Sequence, residues 1–118
     1  MLICPDNTVH QGLDLVRQRA PAPWVHIGEE VSKEAHRHGF KRVAILGTRF
    51  LMEGPVYPPE LARAGCDAVV LGCTEIPLLV TQTDSPLPVL DSTRILARAG
   101  LREATSAERP QPSWPGRP

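Results

Sequence analysis

The sequence has no excess of either charge: 13 Lys and Arg stand against 13 Asp and Glu, and neither sign gathers into a long block. The electrostatic footprint of a nucleic-acid binder, or of a protein drawn to an anionic membrane, is therefore absent, and a small molecule is the expected ligand. No apolar run approaches the ~20 residues that a helix needs to cross a bilayer, and the amino terminus lacks the basic segment and apolar stretch of a secretory signal. These absences predict a cytoplasmic address. Cysteine is scarce, with Cys4, Cys66 and Cys73 the three residues. An odd, widely spaced set makes no disulfide framework and fits a reducing compartment. His36 and His38 are two apart and do not share a helix face, while His10 and His26 are isolated, so no zinc site is expected. At 118 residues there is also no room for two full cores, and one small domain is the ceiling.

What is present alternates between strand-like and helix-like segments. Met1 to Cys4 is an apolar run, followed by the turn-forming cluster Pro5-Asp6-Asn7-Thr8. From His10, Leu13 and Val16 at helical spacing predict a helix, closed by Ala20-Pro21-Ala22-Pro23. Trp24 to Ile27 reads as a second strand, and Gly28 to His38 as a helix on Val31 and Ala35, ending at Gly39. Arg42 to Leu46 is a strand that Gly47-Thr48 terminates. The segment Arg49 to Pro59 holds Gly54, Pro55, Pro58 and Pro59 and leaves only Glu60 to Ala64 for one turn of helix. Ala68-Val69-Val70-Leu71 is a continuous apolar run with two β-branched members, which suits a parallel strand covered on both faces. Thr81 to Pro86 reads as a loop, Leu87 to Asp91 as an edge strand, and Ser92 as the cap of a helix reaching about Ala99 before Gly100.

The expected class is α/β, a parallel sheet with flanking helices over residues 1–102. Residues 103–118 hold four prolines and few apolar side chains, and are expected to form a disordered tail.

Cys73 follows Gly72 at the end of the apolar run, and Thr74 reads as the cap of a short helix with Glu75 and Pro77 in its first turn. In parallel sheets ligands bind outside such strand ends, and a helix amino terminus favours an anion, including a thiolate. Cys73 is thus the expected reactive thiol and Cys4 and Cys66 core thiols; the alternative for Cys73 is a small buried hydrophobe. Asp6-Asn7-Thr8 has the same setting, so the two segments read as halves of one pocket. Asp6 and Asn7 are alternatively turn residues that bond their own backbone.

The string Leu71-Gly72-Cys73-Thr74-Glu75-Ile76-Pro77-Leu78-Leu79 closely resembles the second-cysteine signature of the aspartate/glutamate racemase superfamily. Glutamate racemases usually show histidine where Glu75 stands, so the resemblance leans to the aspartate side. Asn7-Thr8-Val9-His10 resembles the first motif of that family, and Gly47 to Glu53 its Gly-Thr-containing strand end. In the family a cysteine or threonine stands directly before Asn-Thr; here Asp6 holds that place and Cys4 lies two residues earlier. A carboxyl of pKa about 3.9 and a thiol of about 8.5 need retuning before they can exchange roles as donor and acceptor.

The resemblance implies two similar α/β halves whose strand ends face each other around an acidic amino acid. Cys73 and Asp6 would be the catalytic acid/base pair, and Asn7, Thr8, Thr48 and Thr74 would hold the substrate carboxylate. It implies amino-acid racemisation by α-proton removal and return, without metal or other cofactor; a homodimer stays open. Family members begin with a further strand and glycine-rich loop and have a longer segment between the Thr48 and Cys73 strand ends, so a shortened copy is expected. A one-base decarboxylase or cis–trans isomerase of the same superfamily, and a non-catalytic remnant that binds carboxylates, are the alternatives.

Overall fold

The structure, a computed structural model, describes residues 1–53, 55–56 and 65–106. In chain order it has β1 (Leu2–Ile3), α1 (His10–Val16), β2 (Trp24–Val25), α2 (Ile27–Arg37), β3 (Val43–Leu46) and the single turn α3 (Arg49–Met52). Then come β4 (Ala68–Leu71), the single turn α4 (Ile76–Leu79), β5 (Val89–Asp91) and α5 (Ser92–Thr105). Every pairing among them is parallel: β1 with β2, and β3 and β5 on either side of β4. Leu46 lies opposite Leu71 and Leu71 opposite Asp91, so three strands end level with one another. The α/β class expected from the alternating pattern is the class observed, with the strands in two sheets.

The uninterrupted apolar runs become strands because both of their faces are covered. Val43, Ala68 and Val70 are fully buried, against Ile27, Val31 and Ala35, which recur every fourth residue along one stripe of α2. Ile95, Leu96 and Ala99 of α5 extend the same core. Removing a side chain of this size from water stabilises the fold by about 1.5–3 kcal/mol. Glu30 of α2 joins the two helices, accepting from Lys33 on its own helix and from Arg102 of α5 at 2.8 Å. Gly39, at φ 75°, takes the left-handed turn that ends α2.

Several boundaries differ from the sequence reading, each for a local reason. Ile27 opens α2 instead of closing a strand, because His26 is the N-cap: its Nδ1 accepts from the Glu29 N–H at 3.4 Å. Ser92 does not cap α5; Asp91 does, its carboxylate accepting from the Arg94 N–H at 3.0 Å. Gly100 does not stop α5, which runs on to Thr105. That glycine is buried, an added Cβ would meet Ile3 at an ordinary 3.5 Å, and the buried stripe Ile95, Leu96 and Ala99 carries the helix past the ~1 kcal/mol that glycine costs inside it. The helix thus passes the expected domain end at residue 102. Thr81 to Pro86 contains a turn of 3-10 helix, Gln82–Asp84, closed by mutual bonds between Thr81 and Asp84. The expected helix at Glu60 to Ala64 and residues 107–118 of the expected tail lie outside the described residues. Among the described residues no helix is long and apolar enough to cross a membrane.

Candidate active site

The first strand-end turn runs from β1 to α1. Asp6 Oδ1 accepts from the Thr8 N–H at 2.8 Å and from the Val9 N–H at 3.3 Å, satisfying two donors ahead of the helix. Asn7 is 2 % exposed, and its Nδ2 donates to Ser92 Oγ at 3.0 Å. Ser92 Oγ in turn donates to the Leu71 carbonyl at 2.7 Å, where β4 ends. The Thr8 hydroxyl lies 3.4 Å from that of Thr48, at the end of β3. Thr48 is also the N-cap of α3, its Oγ1 accepting from the Leu51 N–H.

His10 holds this turn from behind. It is buried, its Nε2 lies 2.9 Å from the Cys4 carbonyl, and its Nδ1 accepts from the Ile27 N–H at 3.4 Å. These partners call for the neutral ring with its proton on Nε2. Burial pushes the His10 pKa below the usual imidazole value, against the pull of the Cys4 carbonyl. The His26 ring stands edge-on at 4.6 Å. Read from sequence as an isolated histidine, His10 is a clamp on the loop.

The second turn runs from β4 to α4. Gly47 and Gly72 let the ends of β3 and β4 close around Leu51: an added Cβ would lie 2.8 Å and 2.3 Å from its Cδ2, and the Gly72 N–H bonds the Leu46 carbonyl at 2.8 Å. Cys73 is half-buried, and its thiol donates to the Glu75 carboxylate at 2.7 Å. That bond, with help from the Thr74 hydroxyl, holds the Glu75 carboxyl below its usual range. Here the expectation is corrected. Thr74 caps nothing: the N-cap of α4 is Glu75, without a side-chain capping bond, and the helix is one turn long. The group beside the thiol is a carboxylate, not a helix terminus.

The structure thus brings Thr8 to Thr48 and ties Asn7, through Ser92, to the strand end that leads into Cys73 and Thr74. Asp6 and Cys73 each make the bonds described within their own turns. Two groups were missed by sequence reasoning. Ser92 looked like a cap because it opens an amphipathic helix, although the acidic Asp91 before it is as good an N-cap. Glu75 was read as a first-turn residue and is instead the thiol's partner. Cys4 and Cys66 are half-buried, and Cys4 Sγ lies 3.9 Å from the Asp6 carbonyl. Among the described residues no group of three or more His, Cys, Asp or Glu is placed to hold a metal ion. The first turn thus presents hydroxyl and amide groups, and the second a thiol bonded to a carboxylate.

Residues 1–64 match the model of the Asp/Glu/hydantoin racemase family. The match includes Asp6, Asn7, Thr8 and Thr48; Cys73 and Thr74 lie beyond it. The fold is similar to that of a candidate Asp/Glu racemase from Yersinia pestis, with a TM-score of 0.77 and 22% identity over 88% of this chain and 66% of that one. It is also similar to an aspartate racemase homologue from Pyrococcus horikoshii OT3, with a TM-score of 0.66 and 27% identity over 85% of this chain and 64% of that one. The chain therefore spans just under two thirds of the length of either structure.

Proposed function

The chain belongs to the Asp/Glu/hydantoin racemase family, and on that premise we propose that it moves the α-proton of an acidic amino acid, aspartate or glutamate, without a cofactor. The observation that carries this reading is the stitching of strand ends. Thr8 to Thr48 links the turn after β1 to the end of β3, and Asn7 to Ser92 to Leu71 links it to the end of β4, which supports reading the turns as parts of one site.

Asn7, Thr8, Thr48 and Thr74 hold the substrate carboxylate in this reading. Cys73, oriented by its hydrogen bond to Glu75, is the acid/base on one face: having lost its proton to solvent, the thiolate removes the α-proton. The charge that develops spreads onto the bound carboxylate, where preorganised donors lower its cost. Return of a proton from the opposite face, by Asp6 in its protonated form, gives the other enantiomer, and Asp6 regains its proton from water. One observation favours a second reading: the Asp6 carboxylate already bonds two backbone N–H groups, as a turn residue would. With Asp6 so occupied, Cys73 acts as a single base and the reaction is exchange at one face, or the one-base decarboxylation or isomerisation open to the superfamily.

Incubation with each enantiomer in deuterated water, followed by NMR and chiral chromatography, tests both. Racemisation produces deuterated substrate of both hands; the one-base reading gives deuterium without inversion. Activity abolished by a chelator, or dependent on added pyridoxal phosphate, contradicts the cofactor-free chemistry.

A further inference from the structure

Ser92 is fully buried, and its hydroxyl serves two partners that belong to different halves of the molecule. A serine hydroxyl has one proton, and here it goes to the Leu71 carbonyl at 2.7 Å. The contact with Asn7 at 3.0 Å must then run from the amide to the serine oxygen, which turns the Asn7 NH₂ towards Ser92 and its Oδ1 away. Leu71 closes β4 and leads through Gly72 to Cys73, while Asn7 sits between Asp6 and Thr8. One hydroxyl therefore bonds the first turn, 85 positions away in sequence, and the strand end from which the second turn begins, 21 positions away.

We propose that Ser92 is a positioning residue: it fixes the rotamer of Asn7 and sets the spacing between the Asp6–Thr8 turn and the Cys73 turn. The bonds are buried, so losing the hydroxyl leaves its partners poorly satisfied, and the change passes to the loops. The choice of a carboxylate as ligand rests on the function proposed above; the pinning of the two turns does not.

The test is a double-mutant cycle of Asn7→Ala and Ser92→Ala, with Ile95→Val on the same helix as a control for simple destabilisation. Three quantities are read: the urea unfolding constant, the affinity for succinate by NMR titration, and the rate at which iodoacetamide labels Cys73. A bond of ordinary strength gives a coupling of about five- to tenfold in the unfolding constant. Succinate affinity should fall about five- to tenfold in each single variant and no further in the double variant. Ile95→Val should lower stability and leave affinity and labelling unchanged. Ser92→Cys, close in size with a weaker donor, should fold and lose part of the affinity, and wild-type affinity there overturns the proposal even if Ser92→Ala does not fold. Additive unfolding effects, or a Ser92→Ala protein that binds succinate as the wild type does, also overturn it. A wild type that binds no succinate removes the carboxylate reading alone. The labelling rate then decides: a severalfold change in Ser92→Ala but not in Ile95→Val supports Ser92 as the positioning residue, and no change refutes it.

Discussion

Two turns close the site, and they are held in opposite ways. The Asp6 turn hangs on a strand of two residues whose Ile3 is 47 % exposed, yet it is locked by polar contacts: the Asp6 carboxylate on its own backbone, Asn7 on Ser92, His10 on Cys4 and Ile27. The Cys73 turn leaves Thr74 and Glu75 exposed, yet it follows β4, the middle strand of three, with Val70 and Leu71 buried. In the first turn the Asp6 carboxylate accepts from the backbone; in the second the Glu75 carboxylate accepts from the Cys73 thiol. A polar lock fixes geometry and commits its side chains, whereas a sheet fixes geometry and leaves the side chains at its end free for chemistry. In the function proposed above, this contrast is the reason for giving Cys73 the larger part in proton transfer.

The contrast is sharpened first by catalysis. Cys73→Ala should reduce α-proton exchange by about 10²–10⁴-fold, the usual share of a positioned acid/base, with little change in melting temperature. Stability separates the two anchors next. Leu71→Ala removes a fully buried side chain and should cost about 2–5 kcal/mol in urea unfolding, whereas the half-exposed Ile3→Ala should cost less than about 2 kcal/mol. Equal costs would break the comparison.

A smaller effect is expected at Asp6. Asp6→Ala should lose about 1 kcal/mol of stability, as a lost cap does, while Asp6→Asn, which keeps an acceptor oxygen, should lose a few tenths. Racemisation that survives Asp6→Asn unchanged would mean that the carboxylate is only a turn residue. The gentlest effect is that of pH on the lock. His10 has a lower pKa folded than unfolded, so the unfolded chain binds its proton more readily. The contribution is complete above the ordinary imidazole value and is lost as pH falls through the lowered one. The melting temperature should therefore decline below about pH 6.5, and His10→Gln should flatten that decline.

Much of the fold was legible because the strands that matter are unbroken apolar runs and the helices carry their buried residues at spacings of three and four. Val43 to Leu46, Ala68 to Leu71 and the pair Val31 and Ala35 announce themselves in this way, whereas Ile27 of the same stripe does not. Boundaries were less legible: Asp91 and Ser92 are equally good caps, and Ile27 reads as the last residue of an apolar strand until His26, just before it, is seen to cap the helix. Gly100 misled because glycine in a sequence reads as a stop, whereas α5 runs through it on a buried stripe. At the site, Thr8 and Thr48 were legible through motif, and their meeting is a tertiary fact that spacing does not encode. The Cys73–Glu75 bond spans two residues, yet it depends on side-chain direction at the end of a strand, which a propensity argument about Thr74 and a helix terminus overlooked.

The central claim is that Cys73 moves the α-proton of a bound amino-acid carboxylate. The most direct measurement is deuterium incorporation at the α-carbon of aspartate and glutamate by NMR, for the wild type and Cys73→Ala side by side at neutral pH in the presence of a chelator. The account predicts incorporation in the wild type and none above background in Cys73→Ala. Exchange that persists undiminished in Cys73→Ala, or a wild type that binds the amino acid and exchanges nothing, would contradict it.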